Sequence, residues 1–321
     1  MEEAITTDPS LIQMNTTYEE LGREYYIWCK TQSYTVLVIA YVCTSICVCG
    51  LVGNAVVLWL LGFRIKQNPF TVYVLNLAVA DFSLLLILLA KLTLYIATSV
   101  SCIDYFVFYY SNAILFVLFQ GCYLAGMYLL TAMSVERCLA ALLPVWYRCH
   151  RSKHCSAIMC GLLWTLAILF VSSIFLPDAL GTGNYHILYN FSIVNFVLFA
   201  SIPLLSNLVL FIKLRCGSKG RHPGKLYVAV LLSVLFLVVL GFPFSVEGFF
   251  SEFYPDQFYI SFLLASLNSS INPVIYFLLG SCRQHRFQCS IRVAFQRLFE
   301  DGATSEERNQ VPGDAVMETS I

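Results

Sequence analysis

Between residues 34 and 280 the chain alternates seven long apolar runs with short polar connections. The runs cover 34–63, 70–98, 106–140, 155–176, 188–215, 225–250 and 257–280. Each holds the roughly 20 apolar residues a helix needs to cross a ~30 Å hydrocarbon core. No internal repeat is evident, which argues against the repeat-built transporter folds. After the seventh run, basic residues interleave with Phe287, Ile291, Val293, Phe295, Leu298 and Phe299. That pattern suits an amphipathic helix lying on a membrane surface. The pattern therefore predicts an all-α membrane protein. A polar tail spans 1–33, a seven-transmembrane helix bundle 34–280, a short amphipathic cytosolic helix 281–299, and a disordered tail 300–321.

Composition narrows the class further. The chain is 59% hydrophobic and 12% charged, with a mean hydropathy of +0.74. A soluble domain carries about a quarter charged residues and cannot hide this much apolar surface. Intrinsic disorder is excluded by 25 Phe and 19 Tyr. The 19 basic residues balance 19 acidic ones, so nucleic-acid binding has no electrostatic support. No phosphate loop, catalytic carboxylate pair or zinc-ligand cluster appears. His150 and His154 sit beside Arg151 and Lys153 and read as solvated charge. The chain is not read as an enzyme.

The balanced charge is sorted by membrane side. Arg64, Lys66, Arg148, Arg151, Lys153, Lys213, Arg215, Lys219, Arg221 and Lys225 fall on one side, with the basic residues after the seventh run. The opposite loops carry Asp104, Asp178, Glu252 and Asp256, with no Lys or Arg. The positive-inside rule puts the amino terminus outside and the carboxyl terminus in the cytosol, as in a multi-pass plasma-membrane protein. The amino-terminal stretch is acidic and lacks the pattern of a cleaved signal peptide. Asn15-Thr16-Thr17 is a glycosylation sequon in that exposed tail. Asn190, at a helix mouth, is a weaker acceptor, and Asn268 lies in an apolar run and reads as structural.

Of 13 cysteines, only Cys29 and Cys102 fall on the oxidising side. They read either as a bridge from the tail to the connection after the second helix or as two free thiols. Cys282 and Cys289 are palmitoylation candidates on the surface helix.

Polar groups inside apolar helices are costly and mark function. The first run holds Gly50, Gly53 and Asn54, the second Asn76, Asp81 and Lys91. The third ends Ser134-Val-Glu136-Arg137-Cys138, and the fourth carries Trp164. Pro203, Phe242-Pro243 and Asn268-Ser269-Ser-Ile-Asn272-Pro273-Val-Ile-Tyr276 follow in the fifth, sixth and seventh.

In that order these groups resemble the rhodopsin-like G-protein-coupled receptors, and the likeness covers the whole membrane domain. Within that class the chain resembles the Mas-related receptors. The strings that carry it are Leu60-Leu-Gly-Phe-Arg64, Asn68-Pro-Phe-Thr-Val-Tyr73, Leu129-Leu-Thr-Ala132 and Ser134-Val-Glu-Arg-Cys138. Pro144-Val-Trp-Tyr-Arg-Cys-His150, Ser156-Ala157, Leu162-Leu-Trp164 and Ala294-Phe-Gln-Arg-Leu-Phe-Glu300 add to them. A retinal-bearing opsin would need a lysine in the seventh run, and 257–280 has none.

The resemblance implies roles. Glu136 holds Arg137 in the resting state, and with Asn272, Pro273 and Tyr276 they form a switch toward a G protein. Asn54, Asp81, Asn268, Ser269 and Asn272 form a buried polar network. It holds a sodium ion, or water, or a protonated Asp81, and Gly126 stands where many relatives place a helix 3 serine. The resemblance brings no other cofactor. It implies a heterotrimeric G protein and arrestin as partners, an extracellular ligand, and a sensory or nociceptive setting.

Two departures from the wider class alter the pocket. The second loop on the acidic side has no cysteine, and the head of the third helix offers Asn112, so the usual bridge there cannot form. Gly241 stands where most receptors carry a tryptophan, which implies a shallower, wider pocket floor.

Ligand-pocket candidates are Lys91, Phe119, Tyr123, Asp178, Phe242 and Glu247, with Tyr95. Phe119 replaces the amine-binding aspartate. The acidic rim of Asp178, Glu247, Glu252 and Asp256 favours a basic peptide or cationic amphiphile. Lys91 points the other way, to a pair with Glu247 or Asp178 or to an anionic small metabolite. A seven-helix transporter or channel is the alternative from another class. Its ionisable residues should string along one path, yet the fourth, fifth and seventh runs are nearly free of charge. The last residues, Thr319-Ser320-Ile321, match the carboxyl-terminal pattern that PDZ-type domains bind by strand addition.

Overall fold

The computed structural model describes residues 22–31, 34–65, 67–143, 145, 147, 154–179, 185–216, 225–241, 255–281, 291–296 and 298–299. Eight helices follow in chain order: α1 (Tyr34–Phe63), α2 (Pro69–Ser101), α3 (Tyr105–Leu142), α4 (Cys155–Ala179), α5 (Tyr185–Cys216), α6 (Lys225–Phe236), α7 (Pro255–Ser281) and α8 (Ile291–Gln296). A π-helical turn, Leu237–Gly241, extends α6. By length and composition α1, α2, α3, α4 and α7 can each cross a membrane, and α5 and α6 contribute the apolar stretches Val197–Lys213 and Lys225–Gly241. A short helix over 22–30 precedes the bundle. All seven apolar runs begin helices within a few residues of their expected starts.

Local chemistry sets the helix ends. Asn68 caps α2: its side chain accepts from the Phe70 and Thr71 amides at 3.0 and 2.8 Å, while its own amide donates to Thr71 Oγ1. Pro69 follows as first helical residue, where a missing N–H costs nothing. At the other end Cys102 adopts φ 42°, and its amide donates to the Thr98 carbonyl, closing the helix in the left-handed manner. Asp104 then caps α3 through the Phe106 and Val107 amides.

Packing centres on α3, whose Phe119, Met127, Tyr128, Leu129 and Leu130 are fully buried. Two prolines lie inside helices, Pro203 in α5 and Pro273 in α7. A proline frees the carbonyl four residues earlier, and in hydrocarbon that carbonyl must find another donor. Pro203 in α5 frees Phe199, whose carbonyl accepts from Thr131 Oγ1 of α3 at 3.0 Å. Pro273 in α7 frees Ser269, whose carbonyl accepts from Asn54 Nδ2 of α1 at 3.1 Å. The second bond needs α1 and α7 to pack closely. Gly50 and Gly53 allow it: a Cβ at Gly50 would collide with Ser270, and one at Gly53 would sit 3.2 Å from Pro273 Cβ.

Asn54→Leu and Thr131→Val should each leave one buried carbonyl unanswered, a loss of about 1 kcal/mol. In purified protein each should lower the thermal midpoint by roughly 2–4 °C. The two losses should add, because they concern separate carbonyls. Ser173→Ala, at an exposed hydroxyl, should leave the midpoint unchanged.

Candidate functional site

The polar residues of the sequence collect at three levels of the bundle. In the middle, Asp81 of α2 accepts a hydrogen bond from Asn272 Nδ2 of α7 at 2.8 Å, and both are buried together with Asn54, Asn268 and Ser269. Asn54 Nδ2 also donates to the Gly50 carbonyl at 3.0 Å. Asp81, Asn272 and Ser269 thus lie together, and Asn54 joins them through the Ser269 backbone. Asp81 and the Ser269 hydroxyl could face a cation from one side. Gly126 of α3 supplies no side-chain oxygen, and a Cβ there would meet Leu77 at 3.8 Å. These residues fit a protein hydrogen-bond network better than a closed sodium shell.

At one end of α3 lie Glu136 and Arg137. Adjacent helical residues point in different directions, and the two take different neighbours. Glu136 accepts from the Tyr147 hydroxyl, with Tyr73 of α2 also against it. The Arg137 guanidinium lies 4.1 Å from the centroid of the Phe70 ring. Phe70 in turn meets Phe299 at 6.3 Å, and Phe299 meets Tyr276 at 5.8 Å. The Phe299 carbonyl accepts from Asn68 Nδ2 at 3.2 Å. An aromatic chain therefore links Arg137 to Tyr276 through the start of α2 and the residues just beyond α8. Lys213 of α5 donates to the carbonyls of Ala141 and Leu142, which the end of α3 leaves without helical partners. Ser233 Oγ of α6 is buried without a partner at hydrogen-bonding geometry and lies near the Tyr276 hydroxyl.

At the opposite end the structure joins Cys29 to Cys102, with Cα atoms 5.8 Å apart. The helical segment 22–30 is thereby tied to the α2–α3 connection. Tyr25 donates to the Ile103 carbonyl at 2.9 Å and meets Tyr105 and Phe108. Burial raises the Tyr25 phenol above its ordinary pKa, and Asp104 adds to the rise, so it remains a donor. Trp28 packs on Phe108 and Tyr95.

Below that segment, Lys91 of α2 donates to Asn112 Oδ1 of α3. Its Nζ lies 5.4 and 5.3 Å from the ring centroids of Phe116 and Phe262. Phe119 is fully buried edge-on to Phe262 at 5.1 Å. Tyr123 donates to the Gly241 carbonyl at 2.8 Å. A Cβ at Gly241 would sit 2.9 Å from that hydroxyl, so the small residue of the π turn admits the tyrosine. Phe242, Glu247, Cys282, Cys289, Asn15, Thr319, Ser320 and Ile321 lie outside the described residues, as do the side chains of Asp178 and Asn190.

Sequence reasoning missed Phe70, Tyr147, Phe262, Thr131 and Trp28. Phe70, Thr131 and Tyr147 stood inside family-like strings. No spacing signal distinguishes Phe262 and Trp28 from lipid-facing aromatics.

Seven successive apolar helices, proline-broken helices stitched across the bundle and an Arg at the end of α3 define a seven-helix membrane receptor. The family model for the 7 transmembrane receptor (rhodopsin family) matches residues 53–276. Proto-oncogene Mas of Rattus norvegicus is 36% identical over 82% of this chain and 84% of its own length. Mas-related G-protein coupled receptor member X2 of Macaca mulatta is 37% identical over 84% and 85%. Member D of Rattus norvegicus is 35% identical over 84% and 88%. The chain belongs to the Mas-related receptors of the rhodopsin family.

The stack on Phe70 restrains Arg137 by roughly 0.5–2 kcal/mol, the range for a cation over an aromatic face. Phe70→Leu should therefore raise ligand-independent nucleotide exchange on a G protein by about two- to thirtyfold, since 1.4 kcal/mol is tenfold. Phe70→Tyr should keep the restraint. Exchange measured on reconstituted receptor at equal surface density decides it.

Proposed function

We propose that this chain is a cell-surface receptor that binds an extracellular ligand at the Cys102 end of its bundle and activates a heterotrimeric G protein at the Arg137 end. The observation that carries the reading is the Arg137 stack on Phe70. A permanently charged, multidirectional donor is parked on a ring that can release it. Movement of α6 away from α3 would break the Tyr123–Gly241 bond, open the space beside Arg137, and admit the helix of a G protein.

The orientation rests on two supports. Lys and Arg concentrate in the loops at the Arg137 end, and the Cys29–Cys102 bridge at the other end suits an oxidising compartment. In this orientation Asn15 is a glycan acceptor on the outer tail, and Cys282 and Cys289 are acylation sites on the inner face. Arrestin would use the same Arg137 cavity, and a PDZ-type domain would take Thr319-Ser320-Ile321. The Asp81–Asn272 bond is the hinge of the network and needs no bound sodium in this reading.

The acidic residues near the Cys102 end support a ligand with basic groups, by raising the local concentration of cations. Such a ligand is a basic peptide or a cationic amphiphile, and a sensory or nociceptive setting follows by family likeness.

Arg137→Ala should retain surface expression and ligand affinity but lose G-protein nucleotide exchange. Normal exchange at matched expression would reject the role of Arg137. Asp81→Asn should change basal and stimulated exchange together, because an amide oxygen accepts more weakly from Asn272 than a carboxylate and the new NH2 group adds a donor to the network. Identical dose–response curves would remove Asp81 from the switch.

A further inference from the structure

Among the described residues, Lys91 is the one buried cation. It sits well inside α2, a position where an ionisable group marks function by default. The described residues around it answer only part of its chemistry. An ammonium has three donors and no acceptor, and Asn112 Oδ1 takes one of them. Phe116 and Phe262 offer ring faces, which attract a cation without supplying a counter-charge. No described carboxylate acts on Lys91.

The same residues have the form of a receptor for an anion with an apolar body. Asn112 turns its oxygen to Lys91, leaving its NH2 group to donate to a group held by the ammonium. Phe262 lies between Lys91 and the buried Phe119, so the cation borders an aromatic wall. One helical turn along α2, Tyr95 meets Trp28 of the disulfide-tied segment. That segment roofs the α2–α3 side of the site.

Resting on the receptor reading above, we propose that Lys91 and Asn112 form a subsite for a carboxylate carried on an aromatic or other apolar body, walled by Phe116 and Phe262. Two sources share this chemistry: the free carboxyl terminus of a peptide whose basic residues face the acidic rim, and a small aryl acid. The carboxylate accepts from Lys91 Nζ and Asn112 Nδ2, a charge-assisted pair in a low-dielectric setting.

The test uses full-length receptor, purified with its disulfide intact, and thermal melting at constant ionic strength. The probes are N-acetyl-phenylalanine against N-acetyl-phenylalaninamide, and phenylacetate against phenylacetamide. At saturating probe an acid should raise the midpoint by about 2 °C or more, and its amide should not. Lys91→Gln should abolish the difference between acid and amide, and Lys91→Arg should keep it. If Lys91→Gln does not fold, Asn112→Leu serves instead and must weaken the acid-specific rise. A larger effect from N-acetyl-phenylalanine assigns the subsite to a peptide terminus, and a larger effect from phenylacetate to a small acid.

The proposal is overturned if acids and amides act alike on the native receptor, or if the difference survives Lys91→Gln or, failing that, Asn112→Leu. Nucleotide exchange, measured separately, keeps the two readings apart. Acid-specific binding without any exchange would sink the receptor reading and leave the subsite standing.

Discussion

Hydrocarbon offers a backbone carbonyl no hydrogen bond, and the bundle is organised around that deficit. Pro203 and Pro273 each strip one carbonyl of its helical donor. The replacements come from neighbouring helices: Thr131 for Phe199 and Asn54 for Ser269. Each replacement is also a cross-link, one joining α5 to α3 and the other α7 to α1. Glycines at 50 and 53 are needed because a side-chain amide can span to another helix's backbone only when the two axes lie close.

The stretches around these prolines also carry polar and aromatic groups that reach other helices. Asn272, next to Pro273, holds Asp81, and Tyr276 one turn further on meets Phe295 and Phe299. A weakened helix that must recruit partners from three others is a joint whose partners can be exchanged. In α5, Asn207 plays a related part. It bonds the Pro203 carbonyl at 2.8 Å and Ser134 at 3.3 Å, tying the broken stretch to the α3 turn just before Glu136 and Arg137. A shift at either proline therefore reaches the end of α3 through hydrogen bonds and rings rather than through free space.

The Cys102 end is built on a different principle. There the connection from α2 to α3 is short and capped at both sides, by the left-handed Cys102 and by Asp104. The disulfide fastens a tail segment onto this rigid corner, and Tyr25 and Trp28 set their rings against Phe108 there. This end of the bundle thus gains a covalently held wall from a part of the chain that composition alone describes as a polar tail. Lys91 and its aromatic neighbours lie beneath that wall.

Apolar run length determined the helices, because spanning a fixed thickness of hydrocarbon leaves no other regular structure for 20 apolar residues. It also placed the polar residues that matter, since each buried polar side chain in a span stands out against its neighbours. Asn54, Asp81, Lys91, Glu136, Arg137, Asn272 and Tyr276 were legible for that reason. Their partners were not. Glu136 and Arg137 are adjacent in sequence and suggest one another, whereas Tyr147 beside Glu136 and Phe70 under Arg137 come only from the fold. Lys91 suggests a carboxylate, and the described residues it lies against are Asn112 and two phenylalanines. Cys29 and Cys102 left two readings open, and only the fold of the tail onto the α2–α3 corner brings their Cα atoms within 5.8 Å. Polarity is a property of each residue and can be read one position at a time. Pairing across helices depends on rotation and approach of the axes, which the packing of the whole bundle decides.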